Sequence, residues 1–219
     1  CSPSAAQEFE GRGAEDLNVE LTQTLDRMFN GPQSGIDMAK LCIIPKQAYW
    51  VLHVDALVLD VKGGIVDALV WATRAALLST KLPRVVVESI ADEDGNLQSE
   101  FDVVDDAEDQ VAIEGVENLP LSVTFNQIGK RFVIDASEQE EAVTQASLTV
   151  AVSPQLEICA VQKGGFLRGF PPSLLSEIMQ TARRVARDEF AKFKELYETA
   201  ASNQMGDEPS TGSTFLGAF

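Results

Sequence analysis

Between Phe132 and Val150 the chain carries a run of acids with the spacing of a metal-binding loop. Asp135 closes one apolar strand, Glu138, Glu140 and Glu141 follow on a short helical turn, and Ser147 opens the next strand, Ser147-Leu148-Thr149-Val150. Carboxylates at the lip of a sheet can hold a hard divalent cation, which takes oxygen ligands and can bridge to substrate phosphates. Phosphodiester chemistry of that kind needs a pair of acids aimed at one point. Here the second strand opens on a serine, a neutral and much poorer ligand. On residue chemistry alone the same pattern also fits a solvated acidic turn, whose early carboxylates favour a helix N-terminus through its dipole.

Other residues invite chemistry less directly. His53, the only histidine, lies in a β-favouring run and belongs to no Ser or Cys constellation, so a structural role is expected. Gly164-Gly165 is not followed by the G-x-x-x-x-G-K pattern of a phosphate cradle and reads as a turn. Lys130 and Arg131 could touch RNA or an acidic partner, as could Arg183, Arg184 and Arg187, although solvated surface is the favoured reading for all five. Cys1, Cys42 and Cys159 are an odd number without metal spacing, which suits a reducing compartment. No metal or other cofactor is expected.

The 219 residues are 45% hydrophobic and 23% charged, enough for one substantial core or two smaller ones. No apolar run approaches the roughly 20 residues needed to cross a bilayer, so no membrane partner is expected. A formal charge of −17 argues against a stand-alone nucleic-acid binder, because that affinity rests on Lys and Arg neutralising phosphates. Much of the acid lies between Glu88 and Asp109 and suits either repulsion of wrong partners or docking to basic neighbours. The chain begins with Cys1 rather than Met, which leads us to expect a fragment or a processed product.

The elements that must position these residues follow from periodicity. Leu17, Leu21, Leu25 and Met28 recur at helical spacing, predicting an amphipathic helix over 15–29 that Gly31-Pro32 stops. Residues 49–61 alternate with little polar surface on either face and predict a strand in the middle of a sheet. Gly63-Gly64 breaks it, and 65–80 reads as a core helix apolar nearly all round. A short strand over 84–88 and a turn at Asp94-Gly95-Asn96 follow. Residues 121–127, 131–134, 148–153 and 156–162 predict short strands joined by tight turns in an antiparallel meander, with Cys159 in its core. Pro171-Pro172-Ser173 then introduces a long helix. From residue 200 small and polar residues predict a disordered tail. Strands with segregated helices make an α+β architecture.

Cys1-Ser2-Pro3-Ser4, Phe9-Glu10-Gly11-Arg12-Gly13, Trp50-Val51-Leu52-His53-Val54-Asp55, Ala75-Ala76-Leu77 with Pro83, and Ile128-Gly129 through Glu141 keep an order and spacing that resembles the ribonuclease PH-like ring subunits of the eukaryotic RNA exosome. The resemblance covers nearly the whole chain up to the tail. It implies an α+β, ribonuclease PH-like fold of two β/α halves, with mixed and antiparallel sheets packed against helices and the first half incomplete. The divisions it suggests are 1–95, 96–199 and a tail, 200–219.

The resemblance also supplies a comparison residue by residue. Active phosphorolytic relatives open the core helix with a Gly-Gly-Thr-Arg type turn that grips phosphate, as helix N-termini do. This chain has Gly63-Gly64 followed by Ile65, Val66 and Asp67, replacing hydroxyl and arginine with apolar groups and adding an acid that would repel an anion. Basic residues before the first helix correspond to Asp16 and Leu17. The paired metal-binding aspartates, six positions apart in the relatives, correspond to Glu141 and Ser147 (147 − 141 = 6). Losing one preorganised electrostatic group can cost roughly 10²–10³ in rate. The expectation is therefore a non-catalytic ring subunit that supports 3′-to-5′ RNA processing in nucleus, nucleolus and cytoplasm. Its partners would be the other ring subunits, the cap subunits and RNA in the assembled channel. An active phosphorolytic exoribonuclease completed by a partner, or a free-standing acidic adaptor, are the alternatives.

Overall fold

A computed structural model of the protein describes residues 12–31, 34–91, 97–104, 109–164 and 169–206. Helix α1 spans Arg12–Phe29, and a 3₁₀ turn at Met38–Leu41 leads into β1 (Cys42–Ile44) and β2 (Ala48–Tyr49). Helix α2 (Ile65–Ser79) is followed by β3 (Lys81–Leu82), β4 (Arg84–Ala91), β5 (Leu97–Val104) and β6 (Val111–Ala112). The second part holds β7 (Leu121–Ile128), β8 (Arg131–Ile134), α3 (Glu138–Ala142), β9 (Ala146–Val152), β10 (Ile158–Gly164) and α4 (Pro172–Gly206).

Period-two patterning builds the main sheet. Leu121, Val123 and Phe125 share one side of β7, and Leu148, Val150 and Val152 share one side of β9. Val123, Phe125, Leu148, Val150 and Val152 pack on Ile178, Ala182 and Ala186 of α4, whose spacing is that of one helix face. The alternate residues Ser122, Asn126 and Thr149 are buried although polar, with 3%, 4% and 6% exposure. A second cluster joins Met28 and Phe29 of α1, Val70 and Leu77 of α2, Leu119 just before β7 and Leu121 at its start, and Phe193 of α4.

The strand order is β10-β9-β7-β8, with every pairing antiparallel. This corrects the expected meander: β9 pairs with β7 rather than with β8. Helix α3 carries the chain across the end of β7, where the Gln145 amide donates to the Gln127 carbonyl (2.9 Å) and sets the new register.

Strand β8 reaches only as far as Phe125 of β7, paired with Ile134. Helix α2 lies against the remaining length. The Asp67 carboxylate accepts from the backbone amide of Thr124 (2.9 Å), and the Arg74 guanidinium donates to the carbonyls of Leu119 and of Glu117 (2.9 Å). One side of α2 is therefore buried, through Leu69, Val70, Thr73, Arg74 and Leu77, while Ala68, Ala72 and Ala76 are exposed. The helix expected to be enclosed nearly all round is covered on one side, because an edge offers a helix one flank.

The predicted central strand over 49–61 does not form. After the Trp50 amide donates to the Leu41 carbonyl (2.7 Å) no ladder continues, and among the described residues no strand pairs with 51–61. His53 is thus an exposed residue of an extended segment rather than a strand residue. Strands β4 and β5 pair antiparallel over a longer stretch than the expected 84–88 strand, and the boundary expected between 95 and 96 lies outside the described residues. The turn at Asp94-Gly95-Asn96 lies outside the described residues. Cys159, in β10, is half-buried and packs against the second cluster from its margin. Helix α4 continues to Gly206, so 200–206 is helix where a tail was expected; 207–219 lies outside the described residues.

Candidate functional site

A cleft of about 280 Å³ opens where α1, the start of α2, α3 and the polar side of the sheet meet. It gathers four of the residues singled out by sequence: Ile65 and Val66 from the first turn of α2, Glu141 from α3 and Ser147 from the start of β9. Leu17 of α1 also lines it, where relatives are expected to carry basic residues, whereas Asp16 is exposed on the same helix.

Two glycines make this convergence possible. Gly63 has φ +111°, and a Cβ there would run into the Ala136 carbonyl oxygen. The close approach lets the Glu138 amide donate to the Lys62 carbonyl (3.1 Å), fastening the α3 loop to the turn before α2. Gly64, also left-handed at φ +62°, is the N-cap of α2 and has no side chain to cap the helix. Its amide instead donates to the Glu141 carboxylate (2.9 Å), a contact spanning 77 positions of sequence. That carboxylate sits at the positive end of the helix, where an anion is stabilised by the dipole and by amides lacking partners.

The remaining acids of the loop serve other ends. Glu140 accepts from both the amide and the hydroxyl of Ser137 (2.9 Å each), and these bonds hold its carboxyl below the usual range. Asp135 takes a left-handed conformation (φ 56°) at the end of β8, and Glu138 is exposed. At Gly164 a Cβ would strike the Ser147 hydroxyl, so the glycine that the sequence assigns to a turn keeps β10 close to β9 beside the cleft. Gly165 lies outside the described residues.

Asp67 is not in the cleft. Its carboxylate turns toward β7, accepting from the Ser122 hydroxyl and from the amide and hydroxyl of Thr124 (2.9 and 3.0 Å). Enclosure of the carboxyl group pushes its pKa up, against the pull of those donors. The expected anion repulsion is therefore corrected: Asp67 saturates an open stretch of strand, and the negative charge at the helix start comes from Glu141. Lys130 and Arg131 are exposed at the β7–β8 turn and line no part of the cleft.

A divalent cation does not suit this donor set. Glu141 is engaged by the Gly64 amide, Ser147 is neutral, Glu20 of α1 is the other acid lining the cleft, and among the described residues no group of three His, Cys, Asp or Glu converges. Beside the carboxylates of Glu20 and Glu141, the cleft offers hydroxyl and amide groups, among them Ser147, Thr124, Thr144, Thr149, Asn126 and Gln162. Sequence reasoning missed this polar wall, although Ser122, Thr124 and Asn126 alternating with Leu121, Val123 and Phe125 were its signal. It also missed Arg74, 6% exposed, which stacks on Phe190 and Phe193 (5.1 and 5.2 Å). Burial lowers the Arg74 pKa to about 10.

Comparison with known proteins agrees with this geometry. Two signatures of the 3′ exoribonuclease family match, domain 1 over residues 1–83 and domain 2 over residues 118–185. A Dictyostelium discoideum protein named exosome complex exonuclease RRP42 is 35% identical, over 84% of this chain and 67% of its own length. The exosome complex component Rrp42 of Methanothermobacter thermautotrophicus is 36% identical, over 74% and 55%. The chain thus spans between about half and two-thirds of the length of these relatives. Among solved structures, the Archaeoglobus fulgidus exosome with RNA bound to the active site superimposes with a TM-score of 0.68 at 27% identity, covering 88% of this chain and 67% of that one. An archaeal exosome core gives 0.62, also at 27% identity, covering 82% and 64%. The fold is thus that of ribonuclease PH, with both of its domains represented.

Proposed function

The chain belongs to the 3′ exoribonuclease family, and on that premise we propose that it is a non-catalytic structural subunit of an RNA exosome ring, serving 3′-to-5′ RNA processing and degradation. The exosome names of its relatives support the assembly. The observation that carries the loss of catalysis is the Gly64 amide donating to Glu141. A phosphate approaching the start of α2 would have to displace a carboxylate already fixed there and meet its charge. Ile65 and Val66 offer no side-chain donor in return. The same contact draws away the one carboxylate left at the two positions that correspond to the metal-binding pair.

In this reading the contribution is geometric. The subunit presents heterologous surfaces to different neighbours, and ring closure creates a channel that no subunit forms alone. Other ring subunits and cap subunits are its protein partners, RNA passes through the assembled channel, and nucleus, nucleolus and cytoplasm are its places of work.

The test is phosphate-dependent release of nucleoside diphosphates from RNA, by the full-length protein alone and in its co-purified assembly. No release attributable to this subunit is expected, and Glu141→Ala should leave the assembly's rate unchanged. Val66→Arg with Ser147→Asp should restore nothing while Glu141 holds the Gly64 amide. Release that disappears with Glu141→Ala would establish an active phosphorolytic subunit instead.

A further inference from the structure

The β4–β5 ribbon is attached to the body along one side. Strand β4 touches β1, and the groove between them is lined by Leu41, Trp50, Leu82, Val85, Val87 and Ile113. No residue of β5 borders that groove. Strand β5 pairs with β4 alone, so among the described residues its outer edge carries backbone groups that join no ladder.

The ribbon has two unlike faces. The register sets Val85 opposite Val103 and Val87 opposite Phe101, making one face apolar; Val87, Phe101 and Val103 are 47%, 45% and 38% exposed. On the other face Val86 stands opposite Asp102, and Glu88 stands directly opposite Glu100. Facing carboxylates repel each other across a ladder. An open edge with one apolar face is a template for strand pairing, and the acids restrict what can pair. A second copy of this chain would bring the same acids and a charge of −17. RNA would bring phosphates to an acidic surface.

We propose that the outer edge of β5 is a docking site for an extended segment of a partner protein, added as a third strand, with Lys or Arg over Glu100 and Asp102 alternating with apolar residues over Phe101 and Val103. Main-chain bonds along β5 hold the segment, and the alternation selects it. Its basic residues relieve the repulsion between Glu88 and Glu100. The inference rests on the ribbon alone and stands whether or not the chain is a ring subunit.

The probe is a short fluorescent peptide alternating Lys and Val, with a Glu-Val counterpart, read by anisotropy and by amide hydrogen exchange on the full chain. The Lys-Val peptide should bind, slow exchange along β5, and lose about tenfold in affinity with Glu100→Lys plus Asp102→Lys, as for removal of complementary charge pairs. Phe101→Ser, on the opposite face, should weaken it independently, so the test survives if the charge reversal misfolds. Equal binding of the Glu-Val peptide, undiminished binding to both variants, or no slowing in β5 would overturn the proposal. So would slowing of the same amides by single-stranded RNA, or by the chain itself at high concentration, without the peptide.

Discussion

The four-stranded sheet and the extended stretch 50–61 are made of similar residues and have opposite fates. In β7 Leu121, Val123 and Phe125 are at most 2% exposed, whereas Leu57 and Leu59 are 72% and 70% exposed. Both segments alternate, and both are rich in β-forming side chains. The difference is the neighbour: β7 has β9 along its length, β8 along part of one flank and α2 along the rest. Strand propensity is a fit to a pleated, half-buried surface rather than a backbone preference. A segment without such a surface keeps the composition of a strand and forms none.

The contrast breaks first if the sheet is not where stability resides. Phe125→Ala removes a ring packed against α4 and is expected to lower unfolding free energy by about 3–5 kcal/mol, the range for a large aromatic leaving a cavity. Urea denaturation would show it as a lower midpoint at unchanged slope. A loss under about 1 kcal/mol would mean that the face collapses freely around the gap, as close-packed interiors do not.

Next in size is the turn that joins the two parts. Gly63→Ala places a side chain at φ +111° against the Ala136 carbonyl, where strain of about 1–3 kcal/mol is expected before any clash is counted. Amide exchange should show protection of the Gly64 N–H falling with it, because the α3 loop must retreat and carry Glu141 away. Unchanged protection at Gly64 would separate the Gly63 packing from the Glu141 contact.

These two substitutions also mark how much the sequence made visible. Helices α1, α2 and α4 and the strands of the main sheet are legible because periodicity is local. Ile65, Val66, Glu141 and Ser147 are legible as one site through family spacing, and the fold brings them to one cleft. The Glu141–Gly64 bond is not, since a carboxylate reaching across 77 positions leaves no local trace. Nor is the direction of Asp67. A single acid in an apolar helix announces that something must receive it, without saying that Ser122 and Thr124 do. The place of β9 beside β7 hides for the same reason: a short acidic helix marks a connection but not which strand it crosses.

Asp67→Asn examines the edge that α2 covers, with a smaller effect. Because the folded carboxyl has a raised pKa, its contribution is complete below the ordinary carboxylate value of about 3.9 and is lost as pH rises through the raised one. The asparagine does not titrate, and its carbonyl can still accept from Thr124. The variant should therefore show its largest deficit in acid, narrowing to no more than about 1 kcal/mol at neutral pH. Thermal unfolding across that range gives the sign directly. A deficit that widens with rising pH would mean that the charged carboxylate is the favoured form and that the Ser122 and Thr124 donors outweigh burial.

The smallest expected effect is the most pointed. Leu57→Ser together with Leu59→Ser removes two large apolar side chains that are already in water, so almost no buried area is lost and the unfolding free energy should stay within about 0.5 kcal/mol. The same leucine-to-serine change at Leu121, 0% exposed, is the control, because there it deletes buried surface and leaves a hydroxyl to find a partner. If the double change at 57 and 59 cost as much as the single one at 121, Leu57 and Leu59 would have to be packed in solution. The rule drawn from the contrast, that a neighbour and not a composition makes the strand, would then lose its example.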